Sequence, residues 1–155
     1  MSQEALETAL QRAYRYLGHR DRTVAEVRRH LLGKGVPDDV ADAAIAELAE
    51  LGYLDDARFA AQFADDRRRL DAWGSDRIER RLRELGVDRE LIAAALAGQD
   101  GAGELEAAVA LLRRRFPAVP ESDRERDRAL GLLVRRGYEL ELAYDAIRAL
   151  GREAA

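Results

Sequence analysis

The sequence predicts an all-α protein made of three tandem three-helix repeats, and three observations support this fold class. Ala, Leu, Glu and Arg dominate the 155 residues and favour helices, while only 3 residues are proline. Apolar side chains make up 47% of the chain, which is enough to bury a hydrophobic core. Finally, Gly35, Gly86 and Gly137 stand 51 residues apart, which indicates an internal repeat.

Each of these glycines marks the predicted end of a helix, because glycine adopts the left-handed conformation of a C-cap without strain. An apolar pair at i, i+4 spacing precedes each one and predicts a buried helix face. The pairs are Val27–Leu31, Ile78–Leu82 and Ala129–Leu133. After each glycine a further periodic stretch begins, in which apolar residues coincide across the repeats: Val40, Leu91 and Leu142; Ala44, Ala95 and Ala146; Ile45, Leu96 and Ile147.

A third, upstream stretch follows the spacing i, i+4, i+7, i+11 in all three repeats, so each repeat is predicted to hold three helices. The nine predicted helices span residues 3–18, 24–34, 37–51, 55–70, 75–85, 88–97, 104–115, 122–136 and 139–150. The repeats then span 1–52, 53–100 and 101–155. A unit of this size buries little surface alone, so we expect the repeats to stack into an elongated, curved solenoid.

Polar residues at the predicted helix starts support these boundaries. Thr23, Ser75 and Ser122 fit N-caps, and Asp55–Asp56 fit a cap followed by a first-turn acid. Asp66 falls on the apolar stripe of its helix, where we predict an ion pair with an arginine. Eight side chains are predicted to form the core of the middle repeat: Phe59, Phe63, Leu70, Ile78, Leu82, Leu85, Leu91 and Leu96.

Composition and motifs argue against several classes of function. The chain has no cysteine, which excludes disulfides and thiolate metal sites, and its 2 histidines are too few for most zinc centres. We predict that His19 and His30 are solvated. Residues 33–35 lack the spacing of a phosphate-binding loop. No apolar run approaches the ~20 residues of a membrane span, so we expect a cytoplasmic protein without membrane contact. A non-enzymatic protein with no cofactor and no bound metal is therefore expected.

The charges are unevenly distributed. A net charge of −4 has the wrong sign for coating nucleic acid by bulk electrostatics, yet every cation except Lys34 is an arginine and many are clustered. Arg77, Arg80 and Arg81 share one outer flank of their predicted helix and are the main candidate contact surface. The alternative is a solvated surface balanced by nearby acids. Second candidates are the arginines of the other clusters, whose two triplets share one register in the alignment: Arg67, Arg68, Arg69, Arg113, Arg114, Arg115, Arg135 and Arg136.

Several segments, spread over about residues 5 to 150, resemble the RecX family. In the middle repeat these are residues 52–60 (GYLDDARFA), Arg67 and residues 74–87 (GSDRIERRLRELGV). In the first repeat the resemblance rests on scattered positions, and in the third it thins to residues 135–138 and Ile147. The positions of the first repeat are Ala9, Leu10, Tyr16, Leu17, Arg20, Thr23, Glu26, Val27, Leu31, Lys34, Gly35 and Val36.

This resemblance implies a non-enzymatic regulator of the bacterial recombinase RecA. Such a protein is expected to lie in the groove of the RecA filament on single-stranded DNA and to hinder recombination, ATP turnover and SOS co-protease activity. A monomer with weak direct binding to DNA is expected as well. Two departures are the net charge of −4 and the absence of an arginine triplet from the first repeat.

A second class of function fits the paired short helices. Helices joined by tight turns also describe a helical adaptor or a helix-turn-helix regulator that binds duplex DNA. Threefold repetition argues against a helix-turn-helix protein, which usually carries one recognition helix per chain. Binding to duplex DNA without recombinase distinguishes the two classes.

Overall fold

The chain is all-α, as predicted, in a computed structural model that describes residues 2–154. Within those residues lie nine helices: α1 (Gln3–Leu17), α2 (Val24–Gly33), α3 (Asp38–Glu50), α4 (Asp56–Asp71), α5 (Ser75–Glu84), α6 (Arg89–Leu96), α7 (Gly101–Arg115), α8 (Asp123–Arg136) and α9 (Leu140–Ala154). No helix in this described part combines the length and apolar character needed to cross a membrane.

Helix ends differ from the predicted ones where a capping residue or a glycine has another role than the predicted one. Helix α7 begins three residues early because the Asp100 side chain caps it, accepting from the Gly103 N–H at 2.8 Å. Helix α9 continues past the predicted end at residue 150, since one glycine, Gly151, weakens a helix by only about 1 kcal/mol. Ser75 is the first residue of α5 rather than its cap, and its N–H donates to Glu104 Oε1 at 2.6 Å.

The helices group into two compact units, each with its own core. The first comprises Leu82–Ile92 and the described residues up to Ala60, and the second comprises Ala61–Arg81 and the described residues from Ala93 onward. The middle of the chain is therefore divided between the units, whereas the prediction drew repeat boundaries at residues 52 and 100.

In the first unit, α1, α2 and α3 pack against one another around a small-residue core. Thr23 caps α2 in a complete capping box with Glu26, as predicted. The fully buried side chains come from all three helices: Ala9, Ala13, Val27, Leu31, Ala41, Ala44 and Leu48.

In the second unit, α9 packs against both α7 and α8. Ser122 caps α8, as predicted, by accepting from the Glu125 N–H at 3.1 Å. The core again draws on every helix of the group: Ala108, Leu111, Leu112, Ala129, Leu133, Tyr138, Ala143 and Ala146.

The predicted core of the middle repeat is correct in its centre and wrong at one edge. Ile78, Leu82 and Leu85 are buried, while Phe59, Phe63, Leu91 and Leu96 are half-buried. Leu70 is 62% exposed, because the buried residues of α4 are Ala60 and Ala64 and Leu70 lies about 240° around the helix from Ala64. These alanines stand 51 residues after Ala9 and Ala13, so the period runs through the first helices as well.

One contact between neighbouring repeats recurs with the same period. In the first unit, Thr23 Oγ1 donates to the Leu85 carbonyl at 2.6 Å, and a Cβ on Gly86 would lie 2.3 Å from Ala25 Cβ. In the second unit, the Gly74 N–H donates to the Arg136 carbonyl at 2.7 Å. Positions 74 and 136 lie 51 residues beyond positions 23 and 85. The same join between the second helices of neighbouring repeats is therefore made twice.

Substitution of the core residue Leu82 tests the assignment of buried faces. Leu82→Ala should lower the free energy of unfolding by about 2–5 kcal/mol, since this fully buried side chain leaves a cavity. Leu70→Ala, the same change at an exposed position, should cost no more than about 0.5 kcal/mol. Chemical denaturation of both variants measures the difference, and equal losses would contradict the assignment.

The join between repeats is tested by a pair of glycines with the same backbone conformation. Gly35 and Gly86 both have φ of 84°, but a Cβ on Gly35 would meet nothing within 4 Å. Gly35→Ala should cost only the left-handed backbone strain of about 1–2 kcal/mol. Gly86→Ala should cost a further ~1–3 kcal/mol because its methyl group overlaps Ala25. Identical losses in urea denaturation would show that the close contact is not energetically important.

Candidate functional site

The segment between α4 and α5 is held against the end of α8 by backbone contacts in the second unit. The Gly74 N–H donates to the Arg136 carbonyl at 2.7 Å, and the Asp76 N–H donates to the Gly137 carbonyl at 2.9 Å. A Cβ on Gly74 would lie 2.5 Å from the Gly137 carbonyl oxygen, and Gly137 itself has φ of 98°. Gly74 therefore requires glycine because there is no room for a Cβ. Gly137 also requires glycine because of its left-handed backbone conformation.

Side chains from the end of α8 complete the binding of this segment. Arg136 Nη1 donates to the Asp71 carbonyl at 2.8 Å, and the Tyr138 hydroxyl donates to the Ala72 carbonyl at 2.9 Å. Burial, reinforced by the Glu104 carboxylate, raises the pKa of Tyr138 to about 12, so its hydroxyl stays a donor at neutral pH. Ala72 has φ of 55°, a strained conformation that these contacts hold in place.

Arg77, the first residue of the predicted contact flank, is built into the same segment. Its guanidinium carbon lies 4.1 Å from the centre of the Trp73 ring, and its Nη1 donates to the Arg135 carbonyl at 3.2 Å. A cation is favourable over an indole face and at the C-terminal end of a helix. Arg77 is half-buried, whereas Arg80 and Arg81 are exposed, so the three arginines are not equally available to a partner.

The arginine triplet of α4 points in three directions. Arg67 pairs with Asp71 and lies near the Phe63 and Trp73 rings, while Arg68 Nη2 donates to the Leu96 carbonyl at 3.0 Å. Both are half-buried. Arg69 is exposed and pairs with Asp66 at 3.1 Å, which confirms the predicted ion pair of Asp66. Within this triplet, the contacts of Arg67 and Arg68 stabilise the fold.

The triplet of α7 is the more exposed of the two. Arg113 pairs with Glu153 of α9, and Arg114 and Arg115 are exposed at the end of the helix. The predicted common register of the two triplets is wrong, since Phe116 is half-buried and Leu70 is exposed. Arg135 is exposed and Arg136 is half-buried against the α4–α5 segment.

Acidic groups lie beside the α5 flank. Burial, together with Glu104 and Glu79, raises the pKa of Asp76, and the charge of Arg80 opposes this shift. The cations of this flank therefore lie beside carboxylates, and the charge of Arg80 acts on Asp76 directly.

The structure also brings together a cationic cluster that the sequence analysis missed. Arg12, Arg15 and His19 from the α1 side meet His30 and Lys34 from the end of α2 around a single cavity of the first unit. Their spacing could have predicted this cluster. Residues 12, 15 and 19 share a face of a helical stretch, and so do residues 30 and 34. Runs of adjacent arginines are more conspicuous but diverge by about 100° per residue.

The two histidines differ in their environment. His19 is exposed, as predicted, but the prediction that His30 is solvated is wrong, since its ring stacks on Tyr16 with ring centres 4.0 Å apart and planes 4° from parallel. Burial lowers the pKa of His30, and the charges of Lys34, Arg22 and Arg12 lower it further. The neutral form of the His30 imidazole is therefore favoured.

These features define a protein of tandem three-helix domains in which one inter-repeat contact is used twice. The family model described as RecX, first three-helix domain, matches residues 9–48, and the one described as RecX, second three-helix domain, matches residues 55–96. The chain belongs to the RecX family, as its sequence predicts. It is a regulatory protein rather than an enzyme.

Individual RecX proteins match most of the chain. The regulatory protein RecX of Mycolicibacterium smegmatis is 39% identical over 139 residues, which cover 86% of this chain and 74% of the relative. That of Stenotrophomonas maltophilia is 37% identical over 134 residues, or 86% and 81% of the two chains. The crystal structure of RecX from Lactobacillus salivarius shares the fold, with a TM-score of 0.84 at 20% identity over 96% of this chain and 97% of that one.

Proposed function

We propose that this protein inhibits the RecA recombinase by binding, as a cytoplasmic monomer, in the groove of the RecA filament on single-stranded DNA. Bound there, it hinders strand exchange, ATP turnover and SOS co-protease activity. The observation that carries this proposal is the 39% identity to a regulatory protein RecX over 86% of the chain. The three repeats, 1–52, 53–100 and 101–155, are the proposed units that follow the filament.

The exposed arginines of the second unit support a contact with a negatively charged groove. Arg80 and Arg81 on α5 and Arg114 and Arg115 on α7 expose their side chains, and arginine binds phosphate and carboxylate through a planar fork of donors. We propose Arg80 and Arg81 as the main contact. Arg77 supports them from its position over Trp73.

Inhibition of ATP hydrolysis by RecA tests the proposal. The wild-type protein should slow DNA-dependent ATP hydrolysis by the cognate RecA. Arg80→Glu combined with Arg81→Glu should raise the half-inhibitory concentration roughly tenfold or more and flatten its salt dependence, because fewer counterions are released on binding. A coupled ATPase assay over a range of salt concentrations measures both effects.

Arg124→Glu combined with Arg128→Glu is the matched control, since it changes the net charge equally at two exposed positions of α8. It should inhibit like the wild type. Unchanged ATP hydrolysis at a saturating excess of wild-type protein would contradict the function, and equal losses in both double variants would contradict only the contact surface. Specific binding to duplex DNA without RecA would favour a helix-turn-helix regulator instead.

A further inference from the structure

Lys34 carries the only side-chain primary amine of the protein. Of the 26 lysine and arginine residues, it alone is a lysine. An arginine would supply the same charge with more hydrogen-bond donors, whereas only lysine supplies an amine that can act as a nucleophile. The Lys34 side chain is exposed, and its amine makes no hydrogen bond or ion pair with the residues that the structure describes. The fold therefore does not use this amine.

Lys34 lies on the cationic cavity of the first unit, whose volume is about 350 Å³. Arg12, Arg15 and His30 also line this cavity, and none of the described residues that line it is acidic. Arg12 Nη1 donates to the Lys34 carbonyl at 2.9 Å, which holds the C-cap of α2 beside α1. Arg15 is exposed and has no ion pair within the described part of the chain. Its guanidinium group is therefore available to bind a phosphate.

His30 supplies a proton acceptor in the same cavity. It stands one helical turn before Lys34, and its ring stacks on Tyr16 with ring centres 4.0 Å apart. Burial lowers the pKa of His30. The charges of Lys34, Arg22 and Arg12 lower this pKa further, so the neutral imidazole is favoured. A neutral imidazole accepts a proton from a reacting group nearby.

These groups select a small acyl donor whose leaving group is a phosphate. In an acyl phosphate, one oxygen joins the phosphorus to the reactive carbonyl carbon. A phosphate bound by Arg15 therefore places that carbon near the Lys34 amine, which raises its effective concentration there. In an acyl-coenzyme A, the phosphates lie far from the thioester, so the same phosphate contact does not position the reactive carbon.

We propose that Lys34 is a site of acylation by acyl phosphates, with Arg15 binding the phosphate and His30 accepting a proton. The Lys34 nitrogen attacks the carbonyl carbon and forms an N–C bond. The bond between that carbon and the phosphate oxygen breaks, and the phosphate leaves with its electron pair. The ammonium group loses two protons in all, one through His30 to water and one to the leaving phosphate, which departs as HPO₄²⁻. The product is a neutral amide, so the first unit loses one positive charge.

The direct test compares Lys34 with a second lysine in the same chain. Arg29→Lys introduces that lysine on α2, at an exposed position that does not line the cavity. The variant is incubated with acetyl phosphate, and mass spectrometry of its peptides measures acetylation at each lysine over time. Lys34 should be acetylated roughly tenfold faster, because a cleft lined by one sign of charge concentrates anions. Equal initial rates would overturn the proposal.

Substitutions in the cavity test the two assigned roles. Arg15→Gln should lower the initial rate of Lys34 acetylation by acetyl phosphate roughly fivefold, because one attractive charge beside the donor is lost. His30→Phe, which keeps a ring against Tyr16 but cannot accept a proton, should also lower this rate. Arg29→Gln is the matched control for Arg15→Gln, since it makes the same change at an exposed position outside the cavity.

The control should react like the wild type. An unchanged rate in either cavity variant, or an equal loss in the control, would overturn the proposal. Circular dichroism melting confirms that each variant is folded. None of these measurements involves RecA, so their outcome is separate from that of the inhibition assay.

Other acyl donors separate phosphate binding from the reactivity of the amine itself. The neutral thioester N,S-diacetylcysteamine carries no phosphate, so it should show a smaller preference for Lys34 over the introduced lysine. Added sodium chloride should reduce the preference seen with acetyl phosphate, because salt screens charges at an exposed site. An equal preference with the neutral thioester, or a larger one with acetyl-coenzyme A than with acetyl phosphate, would overturn the assignment to acyl phosphates.

Discussion

The repeats depend on one contact between the second helices of successive repeats. In this contact, the first turn of one such helix lies close to the left-handed glycine that ends the next. Thr23 meets the turn at Leu85 and Gly86 in this way, and Gly74 meets the turn at Arg136 and Gly137. A backbone carbonyl accepts the hydrogen bond in both joins, while the donor is the Thr23 hydroxyl in the first and the Gly74 N–H in the second. This explains why glycine spacing is the clearest repeat signal in the chain, and why threonine and glycine can occupy equivalent positions.

The abundance of arginine has a structural cause that is separate from ligand binding. Arg12, Arg68, Arg77 and Arg136 each donate to a backbone carbonyl at or beside the end of a helix. Guanidinium groups suit this role because they are always charged, carry several donors and cover apolar surface with their stems. A cluster of arginines in such a sequence therefore indicates contacts with helix ends before it indicates a binding site. The arginines proposed to contact a partner, Arg80 and Arg81, have exposed side chains.

Local patterns in the sequence predict the helices and most of the core, because a helix and its buried face depend on residues within one or two turns. Ile78 and Leu82 are buried as their spacing predicts. The register of α4 was wrong because the alignment matched large apolar residues, whereas the buried positions are the alanines Ala60 and Ala64. Because alanine is abundant in this chain, its positions say little about which face of a helix is buried.

The candidate sites were less predictable than the fold. Adjacent arginines attract notice in a sequence, yet the contacts of Arg77 with Trp73 and the Arg135 carbonyl depend on packing between distant segments. The cationic cavity depends on the pairing of α1 with α2, which the residue spacing along either helix alone does not specify.

Electron cryo-microscopy of RecA filaments on single-stranded DNA with this protein bound tests the central claim most directly. The account predicts that the protein occupies the filament groove, with the outer flank of α5 at Arg80 and Arg81 turned toward the filament. Protein bound at the filament exterior or only at its ends, or a groove-bound protein whose Arg80 and Arg81 face solvent, would contradict it.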